Sequence, residues 1–237
     1  MRIAIVAEVF LPKVDGVVMR TMRLINNLIE FGDEVLVICP ADEGCPAQTF
    51  PVVPVRSFPF PAYPEYKIGL PNKKLVQTIE EFSPDVIHFV NPFAFGFRCY
   101  DLFSKAGINI PSVFSFHTCY GEFVKRYRLM KPLSRVLWWV MKTYHNCAHM
   151  NLTVSSAYQT ELLNRGFERV ECWPPAVDGT LFHPNRRSSA MRERLMGGQT
   201  NKRLFLTVSR LAPEKNIEFL ADVIAQVLNA CLAIVGD

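Results

Sequence analysis

The chain carries no C-x-x-C pair, and its seven cysteines (Cys39, Cys45, Cys99, Cys119, Cys147, Cys172 and Cys231) are odd in number and scattered over 237 residues. That pattern excludes a disulfide framework or a cysteine zinc cluster as the basis of the fold and is expected of reduced thiols. No apolar run reaches the roughly 20 residues that a membrane-spanning helix needs. The apolar stretch at 2–7 is too short for the core of a signal peptide and meets Glu8, so no such peptide is expected. Neither a G-x-G-x-x-G nor a Walker pattern is present. Charge of one sign is in only mild excess: 26 Lys and Arg against 22 Asp and Glu give a net charge of +4. That balance fits an anionic small molecule or an anionic membrane surface and does not imply nucleic acid.

What is present is an α/β pattern. The β-rich run at 2–7 reads as a central parallel strand, and Val17, Met19, Met22, Leu24, Ile25, Leu28, Ile29 and Phe31 then recur at helical spacing until Gly32. Between them, the loop from Glu8 to Gly16 sits where α/β sheets bind ligands, at the carboxyl end of a strand and the N-terminus of a helix. There Gly16 either lets a phosphate approach the backbone or merely eases a tight turn. A strand at 34–40 completes one right-handed crossover.

Further along, prolines and aromatics crowd residues 41–71 around one short expected strand at 52–56. A helix at 72–82, a strand at 85–90, a helix at 93–106 and a strand at 112–116 follow. His117 and Thr118 close that last strand, and a further strand at 151–154 is followed by a short helix at 157–164. Polar loops thus collect at one sheet edge: Glu8 to Gly16, Asn91-Pro92, His117-Thr118 and Ser155-Ser156. This predicts a Rossmann-like doubly wound parallel sheet.

A helix expected over 121–149 mixes Arg126, Arg128, Lys131, Arg135 and Lys142 with Leu129, Leu133, Leu137, Trp138, Trp139 and Met141. It reads either as a core helix with a solvated basic face or as a membrane-surface helix. His145 and His149 fall four residues apart on it, a metal-ligand spacing without a third ligand nearby, so no metal is expected.

The boundaries read as a first domain over 1–173, a linker over 174–187 rich in proline and glycine, and the beginning of a second domain over 188–237. Two strands there, at 204–209 and 231–235, cannot cover both faces of a sheet, so the second Rossmann-like domain reads as incomplete. Its first strand ends in Ser209-Arg210-Leu211-Ala212-Pro213-Glu214-Lys215-Asn216. Arg210 and Lys215 suit two linked phosphates, unless Lys215 simply pairs with Glu214 or Glu218 on a solvated loop.

Taken together, the first loop (Phe10-Leu11-Pro12-Lys13-Val14-Asp15-Gly16-Val17), the strand-end His117, the linker Val177-Asp178-Gly179-Thr180-Leu181-Phe182-His183-Pro184 and the loop from Ser209 to Lys215 resemble retaining glycosyltransferases of family 4, with the two-domain GT-B fold. Phe58-Pro59-Phe60-Pro61 and Pro64-Glu65 look most like the branch of sulfoquinovosyl-diacylglycerol synthases and related bacterial mannosyl- or glucosyltransferases. The resemblance implies a hexosyltransferase that takes a UDP- or GDP-sugar as donor, needs no metal or other cofactor, and passes the sugar to a lipid or glycan acceptor with retention. It assigns Gly16, Arg210 and Lys215 to the donor diphosphate, His117 to a hydroxyl of the donor sugar, and Asp15 to the acceptor side; His117 and Asp15 are thus the candidate catalytic residues. The family's pair of glutamates separated by seven residues would lie beyond Asp237. A cytoplasmic protein is expected, peripheral at the inner membrane face through the basic helix near Arg126–Lys142. The competing expectations are a non-catalytic truncated paralogue that binds a lipid surface or a partner subunit, and a sugar-nucleotide epimerase.

Overall fold

The computed structural model describes residues 1–41, 44–60, 63–118, 133–175, 177–199, 201–212 and 215–236. The chain divides into two compact units, Met1–Ala176 and Val177–Asp237.

The first unit is built on a seven-stranded sheet. Its strands are β1 (Arg2–Ala7), β2 (Glu34–Pro40), β3 (Val52–Val55), β6 (Val86–Val90), β7 (Ser112–Phe116), β8 (Met150–Thr153) and β9 (Val170–Cys172). The spatial order is β3-β2-β1-β6-β7-β8-β9, and every neighbouring pair is parallel. The chain therefore runs outward from β1 to β3, crosses back, and runs outward again from β6 to β9. The reversal lies between β1 and β6, and ligands of open α/β sheets bind beyond the carboxyl ends of the strands at that point.

Alternation along the central strands separates two cores. Ala4, Val6, Leu36, Ile38, Ile87, Phe89, Phe114 and Phe116 face one side. There α2 (Lys74–Phe82), α3 (Ala94–Lys105), α4 (Leu133–His145) and α5 (Ser156–Asn164) add Leu75, Ile79, Phe97, Phe103, Trp138, Met141 and Leu162. On the opposite face Ile3, Ile5, Ala7, Val35, Val37 and Val90 pack with Ile25 of α1 (Gly16–Glu30). Both faces of the central strands are covered, which is why they read as unbroken apolar runs. α1 stops where Gly32 takes φ of +87° and Asp33 N–H donates to the Leu28 carbonyl at 2.9 Å, a Schellman closure that suits glycine.

Residues 57–69, expected as part of a surface excursion around the single strand at 52–56, also hold an antiparallel pair, β4 (Ser57–Phe60) and β5 (Tyr63–Gly69). The prolines hid it. Pro59 is tolerated because a two-stranded ribbon consists of edge strands, where a missing N–H costs no central ladder bond. The helix expected over 121–149 is described only from Leu133 to His145; Arg126, Arg128, Leu129 and Lys131 lie outside the described residues. His145 and His149 do not share a helix face. His145 ends α4 buried, with Nδ1 2.7 Å from Asn151 Oδ1, whereas His149 lies beyond the helix and receives the Ser112 N–H at its Nδ1. Among the described residues no cluster of metal-ligating side chains occurs.

The second unit holds α6 (Ser189–Leu195), β10 (Arg203–Val208), α7 (Ile217–Ala225) and β11 (Ala230–Val235), with β10 and β11 parallel.

Candidate active site

The site grows from two polar residues placed where β1 and β6 end. Glu8 follows β1 directly and is 2 % exposed. Its carboxyl accepts the backbone N–H groups of Phe93 (2.8 Å), Phe95 (2.9 Å) and Gly96 (2.8 Å), together with the Tyr66 hydroxyl. Phe93 is the N-cap of α3 and offers no side-chain acceptor, so Glu8 supplies from another strand the anion that the helix N-terminus prefers. Burial pushes the Glu8 carboxyl up from its ordinary range, and these four hydrogen bonds pull against that rise. Gly96 is required here, because a Cβ would lie 2.7 Å from the Pro92 ring and 3.3 Å from Glu8 Oε2.

Asn91 follows β6, is 6 % exposed and adopts φ of +51°. Its Oδ1 accepts the backbone N–H of His117 at 3.1 Å and of Thr118 at 2.9 Å, and its Nδ2 donates to Thr118 Oγ1 at 3.2 Å. The end of β7 is thereby held by a side chain from β6. Asparagine suits both tasks, since it tolerates the left-handed region and carries an acceptor and a donor on one short stem.

His117 is half-buried, and its Nε2 lies 3.0 Å from Ser115 Oγ. The same hydroxyl lies 2.9 Å from Nε2 of the buried His88. Register explains the meeting: His88 stands opposite Ile5 and Ser115 opposite Val90, so both share the sheet face of α1. Trp173, just past β9, sets its ring 5.9 Å from those of His88 and His117. Arg20, one turn along α1 from Gly16, stacks its guanidinium 3.7 Å from the Trp173 ring centroid and donates to the carbonyls of Trp173 and Pro174. Burial, with the Arg20 charge added, lowers His88 to about 4 and His117 to about 3. Both rings are neutral at pH 7 and offer hydrogen bonds without charge.

The first loop differs from the sequence expectation in one respect. Asp15 caps α1, its Oδ1 accepting the N–H groups of Val17 and Val18 at 2.9 Å each. Backbone donors expected to await a ligand are thus already paired with the chain's own carboxylate. What the loop retains is Gly16, where an added Cβ would meet nothing within 4 Å. The fold does not need glycine there. A close-approaching ligand would.

In the second unit, Arg210 follows β10, and Lys215 N–H donates to the Ala212 carbonyl at 2.8 Å. Asn216 opens α7 with φ of +50° and makes no side-chain capping bond, in contrast to Asp15 at α1, and Glu218 lies in the first turn. The candidate residues thus fall in two places. Asp15, Gly16 and His117 belong to the first unit, where the Arg20–Trp173 stack links α1 to the ring of His117; Arg210 and Lys215 belong to the second.

Sequence reasoning missed Ser115, His88, Arg20 and Trp173 as parts of the site. His88 and Ser115 carried a signal, being polar residues inside otherwise apolar strands. Arg20 carried none, since a charged residue on an amphipathic helix is ordinary.

The Glycosyltransferase Family 4 profile matches residues 14–180. A GDP-mannose-dependent alpha-mannosyltransferase of Corynebacterium glutamicum is 34 % identical over 242 residues, covering all of this chain and 57 % of that protein. The sulfoquinovosyl transferase SQD2 of Arabidopsis thaliana is 31 % identical over 233 residues, covering 94 % of this chain and 44 % of that protein. The chain thus spans about half the length of these two relatives. Among solved structures, a sucrose-phosphate synthase from Thermosynechococcus elongatus superposes with a TM-score of 0.69 at 18 % identity, over 99 % of this chain and 62 % of that one. That likeness gives the fold as α/β of the GT-B class. On the profile match, which takes in the end of the first loop from Val14, and Asn91, His117 and Trp173, the chain belongs to Glycosyltransferase Family 4.

Proposed function

We propose that this chain is the acceptor-side unit and the start of the donor-side unit of a retaining, metal-independent hexosyltransferase that takes a UDP- or GDP-sugar. The observation that carries the reading is the polar edge at the β1/β6 reversal, where a neutral His117 is held by Asn91 and Ser115 in a chain of Family 4. In this reading His117 binds a hydroxyl of the donor sugar and Gly16 lets the diphosphate approach the first unit. Arg210 and Lys215 carry the charge that builds on the leaving nucleoside diphosphate as its bond to the sugar breaks. The N-terminus of α7, where Asn216 makes no side-chain capping bond, supports that assignment. Asp15 acts on the acceptor side only through the carboxylate oxygen that its capping bonds leave over.

For the acceptor we infer a lipid or glycan, with a cytoplasmic enzyme meeting the inner membrane face peripherally. The described part of the basic helix supports this: Leu133, Val136 and Trp139 of α4 are 47, 53 and 64 % exposed, and Arg135 and Lys142 lie on the same helix. No described helix is long and apolar enough to cross a membrane.

Calorimetric titration of the chain with UDP-glucose, GDP-mannose and UDP-sulfoquinovose tests the donor reading. One donor should bind, and R210A and K215A should each abolish that binding. Silence from all three with a folded chain would mean an incomplete donor site, as in a fragment or a non-catalytic binding module, and binding to anionic vesicles without turnover is what the latter expects.

A further inference from the structure

Ser115 places one hydroxyl between two imidazole nitrogens, 2.9 Å from His88 Nε2 and 3.0 Å from His117 Nε2. A hydroxyl has one proton to give and lone pairs to receive, while each neutral ring has one N–H and one bare nitrogen. Among the described residues these two nitrogens are the only hydrogen-bond partners of the buried hydroxyl. Two N–H groups facing it would leave the hydroxyl proton without an acceptor, and two bare nitrogens would leave one of them without a donor. One ring must therefore donate and the other accept.

Burial decides which. His88 is 6 % exposed, and nothing among the described residues bonds its Nδ1. An N–H is better placed on the ring with more access to water, and His88 is the less exposed of the two, so the His88 proton belongs on Nε2. The half-buried His117 is the more exposed ring, where a free N–H can meet water or a ligand.

We propose that His88 and Ser115 are positioning residues for His117: His88 Nε2–H donates to Ser115 Oγ, Ser115 O–H donates to His117 Nε2, and His117 is thereby fixed with its proton on Nδ1, as a donor toward an oxygen of the bound sugar. The role toward sugar rests on the reading of His117 given above; the tautomer does not. A chain of bonds running one way strengthens each member, and it leaves the site with a neutral donor of defined direction. Arg20, stacked beside both rings on Trp173, is the charge that disfavours a competing imidazolium.

Long-range proton–nitrogen correlation spectra of the histidine-labelled chain at pH 7 test this, with signals assigned through H88Q and H117Q. The expected pattern is a protonated Nδ1 and bare Nε2 in His117, and the reverse in His88. S115A should shift His117 toward the Nε2–H tautomer. A protonated Nε2 on His117 in the wild type overturns the proposal, as does an unchanged His117 pattern in folded S115A. Should S115A fail to fold, the wild-type spectrum alone decides. Because this readout needs no nucleotide, it separates the tautomer from the donor reading. A donor that calorimetry shows to bind should shift the His117 Nδ1–H signal, and an unmoved signal would remove the sugar contact while leaving the relay in place.

Discussion

Replacing Asn91 tests whether one side chain holds the end of β7 in place. In N91A at least three hydrogen bonds vanish among the described residues: the two from the His117 and Thr118 backbone to Oδ1, at 3.1 and 2.9 Å, and the one from Nδ2 to Thr118 Oγ1 at 3.2 Å. At about 0.5–1.5 kcal/mol each they sum to about 1.5–4.5 kcal/mol. Alanine at φ of +51° adds roughly 1 kcal/mol of backbone strain that asparagine largely escapes. The expected loss is therefore about 2.5–5.5 kcal/mol. N91G removes the same bonds without the strain, so it should fall between wild type and N91A. N91D keeps an acceptor for both N–H groups and should cost least of the three. Urea unfolding followed by tryptophan fluorescence reads the first unit selectively, because all three tryptophans (Trp138, Trp139 and Trp173) lie within it. Amide exchange at His117 and Thr118 should quicken in step with the loss. An N91A variant within about 1 kcal/mol of wild type, or one that loses no more than N91D, would refute the argument.

At Gly16, an added methyl meets open space, so G16A should fold with stability unchanged or raised by up to about 1 kcal/mol, yet bind donor at least tenfold more weakly by calorimetry. Intact donor binding would return Gly16 to an ordinary turn residue. D15A removes the acceptor of two helix N–H groups and should cost about 1 kcal/mol in thermal or urea unfolding, a loss that D15N should largely restore. Acid should destabilise the first unit below pH 6.5. His88 and His145 are buried neutral, with folded values of about 4 against an ordinary 6.5, so the unfolded chain takes up protons that the native one refuses as pH falls from 6.5 toward 4. Each should contribute on the order of 2 kcal/mol of loss by pH 5. H145Q should flatten the dependence of urea midpoints on pH between 6.5 and 4.5, and an unaltered slope would count against a neutral buried His145.

How much of this was legible depended on whether a residue acts along the chain or across it. Ile3, Ile5, Val35 and Val37 sit in apolar runs that betray buried parallel strands, and Gly32 marks the end of α1 by a conformation glycine alone takes cheaply. The polar ends of β1, β6 and β7 were likewise readable as a shared edge, because parallel strands put their carboxyl ends on one side. Tertiary pairing is not written locally. Nothing around Glu8 announces that its partners are N–H groups 85 to 88 residues away, nor that Asn91 reaches across to residues 26 and 27 further on. Asp15 shows the converse: D-G-V at a helix start is a capping signal, and attention to the glycine obscured the carboxylate that satisfies the helix.

Glu8 and Asn91 also explain why the site lies at the reversal and not merely near it. At the reversal β1 hands over to α1 on one face of the sheet and β6 to α3 on the other, so the backbone groups between them look to side chains or ligand for partners. Glu8 takes the N-terminus of α3, and Asn91 takes the N–H groups after β7. Each residue stands at the end of one central strand and bonds an element that belongs to another. The consequence is mechanical: the position of His117 is set by Asn91 at the end of β6 and by Ser115 within β7 as well as by its own loop. The proposed contact of His117 with one sugar oxygen would gain from such a base, because the ring's orientation is fixed before the ligand arrives and little ordering remains to oppose binding.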